Sequence, residues 1–69
     1  MPDLVMYEAT LSNPQNLAAV QAARPKIERV GGRVEIDRPT LTGMIPVTLW
    51  LPPAYSPAQF LPGLPFYPV

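Results

Sequence analysis

The sequence contains no cysteine and no histidine. These absences exclude disulfide bonds, zinc sites built from thiolates and imidazoles, the Ser-His-Asp triad and the Cys-His pair. The side chains that most catalytic mechanisms depend on are therefore missing. We expect a protein that is not an enzyme and that holds no cofactor and no metal ion.

Charge is scarce and balanced. Five basic and five acidic side chains give a net charge of zero. A neutral chain lacks the positive field that concentrates phosphate groups, so nucleic acid and anionic membrane surfaces are poor partners. The partner that we expect is another protein chain.

Long hydrophobic runs are also missing. The longest apolar stretch, Met44 to Leu51, is interrupted by Pro46 and Thr48 and falls far short of the roughly 20 residues that a membrane helix needs. The sequence Met1-Pro2-Asp3 carries an acid where a signal peptide has basic residues, and no apolar segment with a cleavage site follows. We expect a cytoplasmic protein, or one that works within a particle assembled there.

The chain divides sharply near residue 38. All ten charged side chains lie within residues 3–38, whereas residues 39–69 have none and contain eight of the eleven prolines. The surfaces of soluble domains normally carry about a quarter to a third charged residues. Two interpretations therefore stay open: the uncharged half forms the core of a small domain, or part of it is covered by another chain.

The length of 69 residues is sufficient for one small domain. We assign residues 1–69 to that domain. Within it, residues 1–51 form the main α/β body, and residues 52–69 form a proline-rich, uncharged C-terminal segment.

The first half of the chain alternates strand and helix signals. Leu4 to Leu11 is apolar on both faces, which is typical of a central strand. Asn13 followed by Pro14 predicts a helix start, and Gly31-Gly32 predicts its end. Pro25 predicts a kink or a break in the preceding turn, because it removes a hydrogen bond inside the helix. The apolar stripe of this helix consists of Leu17, Val20, Ile27 and Val30.

Two further strands are predicted in the middle of the chain. Charged and apolar residues alternate from Arg33 to Asp37, which predicts an edge strand with one wet face. Met44 to Leu51 is apolar enough for a second central strand. Because Pro46 lacks a backbone donor, we expect a bulge or a late strand start near Val47.

Prolines punctuate the last part of the chain. Ser56-Pro57 predicts one short helical turn reaching Leu61, and Leu64 to Val69 predicts a final strand at an edge of the sheet. The order β-α-β-β-α-β is that of the ferredoxin-like arrangement. The expected fold class is α+β: an antiparallel sheet with one main helix and a short, proline-rich second helix.

Three glycine-led runs resemble a known family. They are Ile27 to Glu35 around Gly31-Gly32, Leu41-Thr42-Gly43 leading into Val47-Thr48-Leu49, and Leu61-Pro62-Gly63-Leu64-Pro65-Phe66-Tyr67-Pro68. Together they resemble the subtilisin-propeptide and peptidase-inhibitor family. The resemblance implies a ferredoxin-like fold and a chain that binds a serine protease, either as an inhibitor or as a folding chaperone. In an inhibitor of this kind, Phe66-Tyr67-Pro68-Val69 would be the segment inserted into the protease.

Aromatic side chains dominate the candidate partner-binding residues. All but one of the six aromatic residues lie in the uncharged half, and Tyr and Trp commonly anchor interfaces. The candidates are Trp50, Tyr55, Phe60, Phe66, Tyr67 and Val69. Core packing explains some of these residues equally well. The favoured hypothesis is a small structural or assembly component, for example of a virion or other multi-copy particle; the alternative is a propeptide-like protease inhibitor or chaperone.

Overall fold

Four strands and two helices follow one another in the order β-α-β-β-α-β in a computed structural model that describes residues 3–69. The elements are β1 (Val5–Leu11), α1 (Pro14–Arg29), β2 (Arg33–Ile36), β3 (Ile45–Leu51), α2 (Pro57–Phe60) and β4 (Tyr67–Pro68). The strands form one sheet in the order β2-β3-β1-β4, and each neighbouring pair is antiparallel. This confirms the predicted α+β fold class, and the order of the elements is consistent with the ferredoxin-like arrangement.

The core lies between α1 and one face of the sheet. Alternate residues of β1 and β3 point to that face, because successive side chains of a strand point to opposite sides. The buried apolar residues are Ala9, Leu11, Val20, Ala23, Ile27, Val34, Val47, Leu49, Leu51 and Leu61. Val20 and Ile27 are fully buried, as the predicted helix stripe requires, whereas Leu17 and Val30 are only half-buried.

Both ends of α1 are capped by the residues that the sequence indicates. The Asn13 side-chain oxygen accepts a hydrogen bond from the Gln15 N–H at 2.8 Å. At the other end, Gly31 adopts φ +90°, and the Gly32 N–H donates to the Ile27 carbonyl at 2.9 Å. This is a Schellman motif, in which glycine supplies a backbone conformation that other residues adopt at a cost.

The break that Pro25 predicts in α1 does not occur, because the helix continues through that residue to Arg29. Proline removes the hydrogen bond to the carbonyl of Gln21, but Gln21 is exposed, so water can bond to that carbonyl instead. Ala23 and Ile27 on either side of Pro25 are buried in the core. Burial of these two residues offsets the lost hydrogen bond and holds the helix together.

The bulge or late start expected at Pro46 is also wrong. β3 begins at Ile45 and pairs residue for residue with β1. The Asp37 N–H donates to the Pro46 carbonyl at 2.9 Å, so the backbone groups of Pro46 face β2. Its missing donor therefore falls at the point where β2 has just ended at Ile36, and the sheet loses at most one bond, at its margin.

The last strand is shorter than the predicted Leu64–Val69. The Val69 N–H donates to the Met6 carbonyl at 3.0 Å, so Val69 and Tyr67 face β1, while the backbone of Pro68 faces the free edge. Pro65 has the same parity as Tyr67, and its missing donor would face β1 if the strand began earlier. Regular pairing therefore begins only after Pro65.

Truncating Ile27 to alanine tests the packing of α1. Ile27 is fully buried, so Ile27→Ala should lower the free energy of unfolding by about 2–5 kcal/mol, which is comparable with the whole stability of so small a domain. Urea unfolding followed by circular dichroism measures the change. Leu41→Ala is the matched control, because Leu41 is 107% exposed. A parent-like unfolding curve for Ile27→Ala would contradict the assigned core.

Two neighbouring glycines give a second test of the packing. A Cβ on Gly32 would lie 2.6 Å from the Trp50 carbonyl oxygen and 2.8 Å from the Ile27 Cγ2, whereas a Cβ on Gly31 would meet nothing within 4 Å. Gly31→Ala should cost only the left-handed backbone conformation, about 1–2 kcal/mol. Gly32→Ala should lower the free energy of unfolding further, since backbone atoms must move. The same urea titration compares them, and the reverse order of stability would refute this geometry.

Candidate interaction surface

The sheet face that points away from the helices has no described part of the chain packed over it. We call it the open face. None of its outward side chains is buried, whereas β1, β2 and β3 each place buried side chains on the opposite face. The residues that form it are Met6, Glu8, Thr10, Arg33, Glu35, Pro46, Thr48, Trp50, Tyr67 and Val69.

The strand register arranges all of these side chains except the pair Thr10 and Pro46 in two rows across the sheet. The first, the Trp50 row, consists of Arg33, Trp50, Met6 and Val69. The second, the Glu8 row, consists of Glu35, Thr48, Glu8 and Tyr67. The Trp50 row is apolar apart from its terminal arginine, and the Glu8 row is acidic apart from Thr48 and its terminal tyrosine.

Arg33 lies against the indole of Trp50. The guanidinium carbon is 5.4 Å from the ring centroid, a cation–π distance that contributes about 0.5–1 kcal/mol at an exposed site. The contact comes from the pairing of β2 with β3, which sets the two residues opposite each other. The contact covers only part of Trp50, which is half-buried, so the rest of the indole stays accessible on the open face.

Large apolar side chains are exposed at one end of this face. Tyr67 is 54% exposed and Val69 is 68% exposed. Leu4, 41% exposed, precedes β1 and has the same parity as Met6. Within residues 3–69, Leu41 in the connection between β2 and β3 is the other strongly exposed large apolar residue. The exposed apolar surface of the sheet is therefore concentrated where β4 meets β1.

The structure separates the six candidate partner-binding residues into two groups. Trp50, Tyr67 and Val69 lie together on the open face. The other three, Tyr55, Phe60 and Phe66, are partly buried and pack against the core. The rings of Tyr55 and Phe60 also contact each other, with centroids 5.9 Å apart and planes at 47°.

Both edges of the sheet are protected against pairing with another strand. At the β2 edge, the Arg24 Nη2 donates to the outward-facing Val34 carbonyl at 3.1 Å. At the β4 edge, Pro68 has no donor to offer, and the Phe66 N–H already bonds to the Leu64 carbonyl at 2.9 Å. Such features discourage edge-to-edge association. The role of Arg24 was missed from the sequence, because it joins elements that only the fold brings together.

No pocket is found in the described part of the chain, and residues 3–69 contain no group of three or more acidic, histidine or cysteine side chains placed to hold a metal ion. Among the same residues, no helix is long and apolar enough to cross a membrane.

Comparison with known proteins identifies no relative: no family model, no curated protein and no solved structure matches the chain.

Substitution of two adjacent aromatic residues tests this division of the surface. Tyr67 is exposed on the open face, whereas Phe66 packs against the core. Tyr67→Asp should therefore lower the unfolding midpoint only slightly, through the like charge that it sets opposite Glu8. Phe66→Asp should lower it strongly, because an unpaired carboxylate would enter an apolar environment. Thermal unfolding followed by circular dichroism compares the variants. Equal midpoints for the two would disprove the assignment of opposite faces.

Proposed function

We propose that the protein is a non-enzymatic, protein-binding subunit, a small structural or assembly component of a virion or other multi-copy particle. It binds another protein chain through the open face. The observation that carries this proposal is the exposure of Tyr67 and Val69 beside Trp50 on an uncovered sheet face. Aromatic side chains next to aliphatic ones are the usual anchors of protein interfaces.

The size of the exposed apolar surface agrees with an assembly role. Covering the exposed part of Tyr67 or of Val69 stabilises a complex by about 1 kcal/mol each. Association must first offset at least about 4 kcal/mol of lost translational and rotational freedom. One copy of the face alone therefore binds weakly. In a multi-copy particle many such contacts act together, because each further contact forms within an assembly that is already held.

The protease-inhibitor alternative rests on the ferredoxin-like arrangement of strands and helices. The glycines that lead its three motifs, Gly31, Gly43 and Gly63, have φ values of +90°, +82° and +84°. Each therefore stands at a turn that the backbone requires irrespective of any protease. The motifs support the fold, and the inhibitor alternative depends on whether the open face contacts a serine protease.

Photo-crosslinking in cells that produce the protein tests the proposal. A benzoylphenylalanine at Thr10, an exposed position at the margin of the open face, should form a discrete adduct with a partner chain. The same group at Gln21, exposed on α1, is the matched control and should form none. Tyr67→Asp should abolish the Thr10 adduct, because it places a charge in the apolar contact.

Three results decide between the functions. An adduct from Thr10 that depends on Tyr67 supports an assembly subunit when the attached chain is not a protease. A serine protease in that adduct would favour the inhibitor alternative. Equal adducts from Thr10 and Gln21, or none from Thr10, would rule out the open face as the binding surface.

A further inference from the structure

The two rows of the open face carry opposite charges. The Trp50 row carries one charge, the positive Arg33, and the Glu8 row carries two, the negative Glu8 and Glu35. A two-fold axis that crosses the strands along one row would set Arg33 over Arg33 of the other copy or each glutamate over itself, and an axis parallel to the strands would set Arg33 over the apolar Val69. An axis that crosses the strands between the two rows sets Arg33 over Glu35, so unlike charges meet. Of these three arrangements, the one in which each row lies over the other is the one that gives direct opposite-charge contacts.

We infer that the partner at the open face is a second copy of this chain, packed face to face about a two-fold axis that crosses the strands between the two rows. The inference rests on the proposed function and adds that the partner chain at the open face is another copy of this protein. A two-fold interface makes each contact twice. Arg33 of each copy then faces the acidic row of the other, with Glu35 opposite it and Glu8 in the same row.

The same axis brings the exposed apolar side chains together. It places Val69 of one copy over Tyr67 of the other, and these two residues are 68% and 54% exposed in a single chain. It places Trp50 over Thr48, the one uncharged polar residue of the Glu8 row. Strands of the two sheets run nearly aligned in this arrangement, which is a common class of sheet packing.

Other surfaces fit a second copy less well. Edge pairing is opposed by Arg24 at β2 and by Pro68 at β4. The exposed side of α1 carries three cations and one anion, so two copies of it repel each other; its charged residues are Arg24, Lys26, Glu28 and Arg29. The zero net charge of the whole chain removes long-range repulsion between copies.

The area of the open face sets the expected strength of the dimer. Four strands about 4.8 Å apart, each with one to three outward residues, cover roughly 300–400 Å² in projection. A standard interface buries about 800 Å² on each partner. The dimer should therefore be weak, with a dissociation constant in the micromolar range or above and a population that rises with concentration.

Sedimentation velocity on the full chain, from about 1 μM to 1 mM, measures this association. The parent should pass from the mass of one chain, 7.6 kDa, towards twice that mass. R33E makes both rows acidic and E8K/E35K makes both rows basic, so each variant alone should remain monomeric at physiological ionic strength. An equimolar mixture of the two restores every opposite-charge contact and should dimerise as the parent does, which also shows that both variants are folded.

R29E is the matched control, because it changes the net charge as R33E does but lies on α1; it should dimerise like the parent. A parent that stays monomeric throughout the range overturns the second copy as partner, while an adduct from Thr10 to a different protein would still support the proposed function. A dimer unchanged in both charge variants overturns the crossed-row arrangement. If Tyr67→Asp also leaves that dimer unchanged, the open face is not its interface.

Discussion

The burial of one sheet face beneath α1 is the interaction on which the rest of the fold depends. Val20 and Ile27 of α1 are fully buried, and so are Leu49 and Leu51 of β3 in the same core cluster. A chain of this length has one long helix among its described residues, and a single helix can shield only one side of a sheet. The open face is therefore a necessary consequence of the architecture.

The uncharged half of the chain is divided between the core and the surface. β3 contributes Val47, Leu49 and Leu51 to the core, so part of that half is uncharged because it is buried. β4 instead brings an uncharged, apolar strip to the surface at Tyr67 and Val69. Charge is confined to α1, β2, β1 and their flanking residues, which gives the sheet a charged edge and an apolar edge. This asymmetry orients any partner that approaches the open face.

The order of the elements could be predicted from the sequence, because periodicity, caps and glycine positions all indicated the same arrangement. The effects of the prolines could not be predicted from the sequence. Pro25 lowers the local propensity for helix, and Pro46 lowers the local propensity for strand. Whether each element forms is decided by the packing around α1 and by the position at which β2 ends, and these are features of the tertiary structure. The candidate partner-binding residues were chosen from composition alone, and composition does not separate residues that pack on the core from residues on the open face. Phe66 and Tyr67 are adjacent and both aromatic, yet they lie on opposite faces because successive residues of a strand alternate between faces. The register of this strand could not be predicted, because Pro65 and Pro68 interrupt the sequence pattern.

The protected edges have a consequence for behaviour at high local concentration. Amyloid fibrils grow when the edge of one sheet templates the next strand through unpaired backbone donors and acceptors. Here the guanidinium of Arg24 occupies the Val34 carbonyl at one edge, and proline withholds a donor at the other. Each edge therefore offers fewer unpaired backbone groups to an incoming strand, and the sheet is a poor template for the continuous backbone ladder of a fibril.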